Sequence, residues 1–359
     1  MPAPVGRDLE LMRKRLVEWF GGLLPAARDL EIGELTGPGA TGFSSDTLIF
    51  DLTYTETGRS VSRGLVARIQ PSGFQVFPEY DLPAQYEIMK ALEATDVAVP
   101  KMLWEEWTGD VIGDAFYVME RVDGNTPADN PPYTAEGFLK EMSPRDQSTL
   151  WRGYIETLAA IHRLDPFELG LGGLAMPELG ATPIEQELRF YDDFYRWAYP
   201  EGQHPVVEPS LEWLRANRPP MPERIGLSWG DSRIGNMIFS GTKCVAVIDW
   251  EMARLGDPVM DLAWGLFVGR YHAEGTGNPT IPGFLSRDES IAMYEELVGR
   301  SAEHLAYYEI LAGMRFSVIL IRLAKQLKHH GLLPEDVNFE IDNPVSNLHR
   351  LQLQEIGVL

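Results

Sequence analysis

The spacing of apolar positions changes several times along this 359-residue chain. Leu9, Met12, Leu16, Trp19, Phe20 and Leu23 recur at helical intervals, which predicts an amphipathic opening helix ended near Pro25. Strand-like runs follow at 30–35, 47–53 and 61–69. A Gly-containing loop joins the first two, and a Thr57-Gly58 turn joins the second pair. Residues 83–94 read as a helix capped by Asp81, whose short carboxylate suits the free N–H groups of a first turn. Runs at 101–106 and 115–120 complete a small sheet with one inserted helix.

Beyond Val122-Asp123-Gly124 the pattern becomes helical, over 145–164, 184–199 and 209–217. Asn130-Pro131-Pro132 and Arg218-Pro219-Pro220 punctuate it. A short strand-like pair flanks Gly241-Thr242, and helical runs fill the chain from Asp261 onward. The prediction is a small mixed lobe over 1–121 and a mostly helical lobe over 122–359, with a cleft between them.

Charge narrows the partners. With 31 basic residues against 53 acidic ones the net charge is −22, which argues against a nucleic-acid partner, since that binding needs clustered Lys and Arg. A single cysteine excludes an internal disulfide and any multi-thiolate metal site. Its setting, Cys244-Val245-Ala246-Val247-Ile248, predicts a buried strand thiol and fits a reducing cytoplasm. Arg7, Asp8 and Glu10 interrupt any signal-peptide core. The most apolar late stretch, 311–323, holds Arg315 and Arg322 and is too short and charged to span a bilayer, so no membrane partner is expected.

The candidate chemistry lies in Gly230-Asp231-Ser232-Arg233-Ile234-Gly235-Asn236 and in Ile248-Asp249-Trp250-Glu251. Asp231 and Asn236 are five residues apart on a loop between apolar runs, and Asp249 ends a strand thirteen residues later. Phosphoryl transfer needs one carboxylate to take the attacking hydroxyl's proton and oxygen ligands to hold magnesium against ATP phosphates. It also needs a cation to offset charge on the moving group. Asp231, then Asn236 and Asp249, then Arg233 can fill those roles.

The pattern Gly-Asp, four residues, Asn and then Ile-Asp-Trp-Glu resembles the signature of aminoglycoside phosphotransferases and choline kinases. Its continuation, Leu255-Gly256-Asp257-Pro258-Val259-Met260-Asp261-Leu262-Ala263-Trp264, is most similar to phosphotransferase domains fused to some acyl-CoA dehydrogenases and to free-standing bacterial relatives. The resemblance implies an α+β, protein-kinase-like two-lobed fold, with a small antiparallel-sheet N-lobe and a mostly helical C-lobe. By it Asp231 is the catalytic base, Asn236 and Asp249 bind Mg2+, and Asp261 with Trp264 supports the catalytic loop. His162, in Leu158-Ala159-Ala160-Ile161-His162, reads as a buried hydrogen-bonding group. One departure is visible: Trp229 stands where the family usually has His before Gly-Asp, which keeps packing and forfeits a hydrogen-bonding ring nitrogen.

On the nucleotide side, Gly42, Ser44 and Ser45 resemble the phosphate-covering turn, with close backbone approach at glycine and serine hydroxyls for phosphate oxygens. No Walker lysine pattern is present. Arg68 occupies the place of the third-strand lysine, and its partner is left open between Gln85 and Glu87. Those two lie roughly 200° apart on a helix and cannot both face it. Glu120 and Val122 would offer backbone groups to adenine at the hinge.

The acceptor segment is expected at about 165–225, where Glu185, Glu187, Asp192, Asp193 and Glu201 accompany Tyr191, Tyr195 and Trp197. Acids with aromatics suit a cationic ligand, a solvated acidic helix face explains the same residues, and the dehydrogenase-fused branch points to a hydroxyacyl acceptor. The expected function is ATP- and magnesium-dependent transfer of a phosphoryl group to a small-molecule hydroxyl, aminoglycoside-like, amino-alcohol or hydroxyacyl. The alternative is a catalytically weak nucleotide- or ligand-binding protein of the same fold.

Overall fold

The computed structural model describes residues 8–37, 46–200 and 202–359. Helix α1 (Leu9–Leu23) precedes β1 (Arg28–Ile32), β2 (Asp46–Glu56) and β3 (Arg59–Ile69). Helix α2 (Leu82–Leu92), β4 (Met102–Glu106) and β5 (Phe116–Glu120) follow. The five strands form one antiparallel sheet ordered β1-β2-β3-β5-β4. The Asp81 carboxylate accepts the Ala84 N–H at 2.9 Å, as a cap should. β1 starts two residues before the predicted run, with Asp29 at φ 52° and a register shift between Arg28 and Glu31.

Alternation along the strands decides what each face touches. Leu48, Phe50, Leu52, Leu65, Ala67, Ile69, Phe116 and Val118 are buried in one cluster with Met12, Leu16 and Phe20 of α1. Each of these side chains except Ala67 contributes about 1.5–3 kcal/mol by leaving water. Tyr117 falls on the opposite face, in a second cluster with Leu82, Ile88, Met89 and Leu92 of α2. Arg68 pairs with Tyr117 in the β3–β5 ladder, so it too projects away from α1.

The rest of the chain is mostly helical: α3 (Phe138–Glu141), α4 (Pro144–Arg163), α5 (Pro183–Ala198) and α6 (Val207–Ala216) come first. Four short strands follow, β6 (Gly226–Ser228), β7 (Met237–Ser240), β8 (Lys243–Val247) and β9 (Arg254–Gly256). They pair as β6 with β9 and β7 with β8, holding residues 226–256 as a compact loop-rich unit. Helices α7 (Val259–Arg270), α8 (Arg287–Val298), α9 (Leu305–His329) and α10 (Pro344–Glu355) close the chain. Helix α9 packs along α5, α6, α7 and α10, so it is central to this half. Among the described residues no helix is long and apolar enough to cross a membrane. Cys244 is half-buried on β8 rather than fully buried, with burial pushing its thiol up to about 11.

Two histidines tie α10 and its approach to α6. His349 Nε2 meets Ser210 Oγ at 2.7 Å, and His204 Nε2 donates to the Glu340 carbonyl at 3.0 Å while Nδ1 accepts from Val206. Burial lowers both from 6.5 to about 4. The unfolded chain therefore takes up protons between pH 6.5 and about 4 that the folded chain refuses, so stability declines as pH falls through that window. Thermal melting should drop between pH 7 and pH 5, and His349→Gln should flatten that drop in a melting-temperature series.

Candidate active site

The loop that carries Asp231 and Asn236 is built outward from one buried carboxylate. Asp261, in the first turn of α7, accepts from Ser228 Oγ at 2.6 Å, the Trp229 N–H at 2.6 Å and the Gly230 N–H at 3.0 Å. His162 Nε2 adds a fourth contact at 3.0 Å, its other nitrogen meeting the Tyr294 hydroxyl at 2.8 Å. Burial acts against the Asp261 charge, but these donors outweigh it and hold its pKa below the ordinary value. The Ser232 hydroxyl donates to the Asp261 carbonyl at 2.8 Å, so the loop is bound at both ends of one residue. Gly230 lies at φ 90°, where an added Cβ would sit 2.0 Å from the Met252 carbonyl oxygen; only glycine fits this crossing.

That frame presents Asp231. Its Oδ1 accepts the Trp264 indole N–H at 2.8 Å, and its Oδ2 accepts Asn236 Nδ2 at 2.6 Å and Arg233 Nε at 2.9 Å. Asn236 sits in a 3-10 turn (Ile234–Asn236), which brings it back beside the acid five residues earlier. Arg233 also clasps both oxygens of Asp129, at 2.6 and 2.7 Å. Asp129 meets His272 Nε2 at 3.2 Å as well; burial opposes its charge, yet Arg233 and His272 take its pKa down to about 2. Asp129 and His272 escaped the sequence reading. An acid beside an Asn-Pro-Pro break carries no pattern of its own.

Trp229 corrects the expected loss at the usual histidine position. Its indole N–H donates to the Ile248 carbonyl at 3.0 Å, so a ring nitrogen still ties the Asp231 loop to the strand leading into Asp249. Ile248 in turn donates its N–H to the Asn236 carbonyl at 3.0 Å. Asp249 follows at φ 63°, a left-handed backbone that costs a non-glycine residue about 1–3 kcal/mol and persists only where neighbours over-determine it.

Arg68 reaches across to this segment, with Nη2 3.0 Å from Asp249 Oδ1 and 3.2 Å from Glu251 Oε2. Burial acts against its charge, but the two carboxylates prevail and raise its pKa. Its Nε is buried without a hydrogen-bond partner. The open choice of helix partner resolves otherwise: Gln85 is buried and accepts the Tyr117 hydroxyl at 3.3 Å, while Glu87 is exposed. Glu120 and Val122 lie at and just past the end of β5, where the sheet gives way to the helices. Gly42, Ser44 and Ser45 lie outside the described residues.

The acids of α5 are ion-paired. Glu185 meets Arg218 at 2.9 Å, Glu187 meets Arg315 at 3.2 Å, Asp192 meets Arg215 at 2.8 Å and Asp193 meets Arg189 at 2.7 Å. Glu187 and Asp192 are buried, so a solvated acidic face does not describe them; Glu201 lies outside the described residues. Glu187 and Tyr191 line a small cleft of about 20 Å³ with Phe77, Glu79, Glu251 and Met252, among others.

A five-stranded antiparallel sheet above a helical body, with an Asp–Asn loop and a second acid on a left-handed turn, defines the protein-kinase-like class of phosphotransferase folds. The chain matches the phosphotransferase enzyme family model over residues 44–297 and belongs to that family. It is similar to acyl-CoA dehydrogenase family member 11 of Homo sapiens, 30% identical over 258 residues, covering 71% of this chain and 31% of that protein. It is likewise similar to acyl-CoA dehydrogenase family member 10 of Mus musculus, 29% identical over 64% of this chain and 20% of that protein. The chain thus spans under a third of the length of these relatives. In fold it is similar to a Ralstonia eutropha protein provisionally described as an aminoglycoside phosphotransferase, with TM-score 0.68, 21% identity and coverage of 95% and 98% of the two chains. A thermostable mutant of aminoglycoside phosphotransferase APH(4)-Ia in ternary complex with ADP and hygromycin B gives TM-score 0.56 at 15% identity, covering 96% of this chain and 97% of that one.

Trp229→Phe keeps a ring in the core but leaves the Ile248 carbonyl without its donor. The expected cost is about 1–3 kcal/mol, read as a lower urea midpoint with an unchanged slope.

Proposed function

We propose that this chain transfers the γ-phosphoryl group of ATP to a hydroxyl of a small molecule, with Asp231 receiving the hydroxyl proton. The carrying observation is the state of Asp231: donors engage both its oxygens, yet its side chain keeps 15% exposure. A carboxylate so fixed and still reachable suits a base that must meet a hydroxyl in one geometry. Trp264 and Asp261 are its supports, and Arg233 holds its Oδ2 side while supplying positive charge near the reacting groups.

Magnesium fits the donor set. Asp249 offers a carboxylate, and Asn236 uses its amide nitrogen towards Asp231, leaving the amide oxygen as the end a hard cation would use. When bound, the ion would offset charge on the β- and γ-phosphates. Arg68 would hold the phosphates on the sheet side, and its unpartnered Nε is the donor they would satisfy. Gly42, Ser44 and Ser45 complete the proposed phosphate cover, and backbone groups of Glu120 and Val122 the adenine contact. The division into lobes at 1–121 and 122–359, with the acceptor segment near 165–225, belongs to the same reading.

For the acceptor, we favour a hydroxyacyl or other uncharged alcohol over an ammonium compound. The ion pairs of Glu185, Glu187, Asp192 and Asp193 leave α5 little charge for a cation. The named relatives, acyl-CoA dehydrogenase family members, point the same way. A binding protein of the same fold is the second reading, favoured by Arg68 and Arg233 both being engaged with the chain's own carboxylates.

ATP turnover measured over a panel of hydroxyacyl compounds, aminoglycosides, macrolides and choline-like amines separates these readings. The expected result is magnesium-dependent turnover with a hydroxyacyl acceptor, lowered about 10²–10⁴-fold in Asp231→Asn with nucleotide affinity retained. Nucleotide binding without acceptor-dependent turnover in either protein supports the binding-protein reading. A second expectation concerns Arg68. Without nucleotide its guanidinium occupies the carboxylates a cation would use, so Arg68→Met should bind Mn2+ more tightly than wild type in an electron paramagnetic resonance titration of the nucleotide-free protein.

A further inference from the structure

Arg315 lies in the middle of α9, 2% exposed, and has no place in the chemistry described so far. A guanidinium so deep in a helical core is costly unless its partners are arranged around it. Four surround this one. Its Nε stands 3.2 Å from Glu187 Oε1 on α5, an ion pair without hydrogen-bond geometry, and its Nη2 donates to the Gly230 carbonyl at 3.3 Å. Its carbon centre lies 5.1 Å from the centroid of the Tyr191 ring and 4.9 Å from that of Trp264.

These partners lie on two parts of the fold. Glu187 and Tyr191 line the small cleft on the α5 side. Gly230 precedes Asp231, at a crossing where a Cβ would collide with the Met252 carbonyl, and Trp264 donates its indole N–H to Asp231 Oδ1 at 2.8 Å. One side chain therefore touches the wall of the cleft, the backbone just before the base, and the ring that orients the base. Planarity matters here: a guanidinium can lie against aromatic faces while its edge reaches a carboxylate and a carbonyl, and a lysine ammonium cannot do both.

We infer that Arg315 is a positioning residue that couples the α5 wall of this small cleft to the placement of Asp231. The inference rests on the reading of Asp231 as the base. An acceptor pressing on Glu187 or Tyr191 acts on Arg315, and through it on Gly230 and Trp264. With Arg315 removed, the loop stays anchored on Asp261 but loses its hold on the carbonyl side of Gly230.

The test compares Arg315→Lys and Arg315→Met with wild type in the full chain, using melting temperature, affinity for a fluorescent ATP analogue, steady-state turnover, and amide hydrogen exchange over 229–233. Both variants should show faster exchange in that segment. The expected kcat falls about tenfold or more, the size that a slightly misplaced catalytic group costs, while nucleotide affinity stays within about twofold. Lys should recover melting temperature relative to Met without recovering kcat, a split that a purely structural charge would not produce. Folded Lys and Met variants with wild-type exchange over 229–233 and wild-type kcat overturn the inference. Should Arg315→Met fail to fold, Arg315→Lys and Glu187→Gln decide by the same exchange measurement. Absence of turnover in wild type itself counts against the phosphotransferase reading, and exchange over 229–233 still decides whether Arg315 holds the loop.

Discussion

The whole site depends on the buried carboxylate of Asp261. The loop that carries Asp231 has few hydrogen bonds of its own, because most of its backbone belongs to neither helix nor sheet. Asp261 supplies them from below, binding the Ser228 hydroxyl and two successive N–H groups, with His162 and Tyr294 bracing it from behind. Its own charge persists in the core because these donors replace the water it lost. Asp231, Asn236 and the passage into Asp249 inherit their positions from this anchor through short hydrogen-bonded links.

The second constraint is that Arg68 joins two acids, Asp249 and Glu251, to the sheet. Alternation on β3 turns Arg68 away from α1, and it meets Asp249 and Glu251 with little exposure on any of the three. The guanidinium satisfies two carboxylates that would otherwise repel each other in a poorly solvated place. Binding of a metal-bearing nucleotide under the proposed function would exchange these partners, phosphate for carboxylate on Arg68 and metal for guanidinium on Asp249.

How much of this was legible in the sequence follows from what leaves a pattern. The sheet strands and long helices announce themselves by period, and the Asp-Asn-Asp series by spacing, so residues 116–120 and 144–163 lie close to their predicted bounds. The three-residue strands β6 and β9 are too short for a period to register. Partners far apart in the chain left no trace: Asp129 with Arg233, Glu187 with Arg315, and Glu251 with Arg68 are separated by about a hundred residues or more. One clue was available. Arg315 interrupts the apolar run of 311–323 and there, with Arg322, served only to exclude a membrane span, although a cation flanked on both sides by apolar helix residues is itself a sign of a buried partner. Acids on α5 misled for the complementary reason, since a list of acidic residues does not show which arginines neutralise them.

The central claim is that Asp231, Asn236 and Asp249 converge on a metal-bound nucleotide beside an incoming hydroxyl. A crystal structure of the protein grown with magnesium and a non-hydrolysable ATP analogue examines it most directly. The account predicts density for the cation on Asn236 and Asp249, Arg68 turned from the carboxylates to the phosphates, and Asp231 unmoved on its Asp261 and Trp264 supports. Nucleotide bound elsewhere, or bound with Arg68 still clasping Asp249 and Glu251, would contradict it.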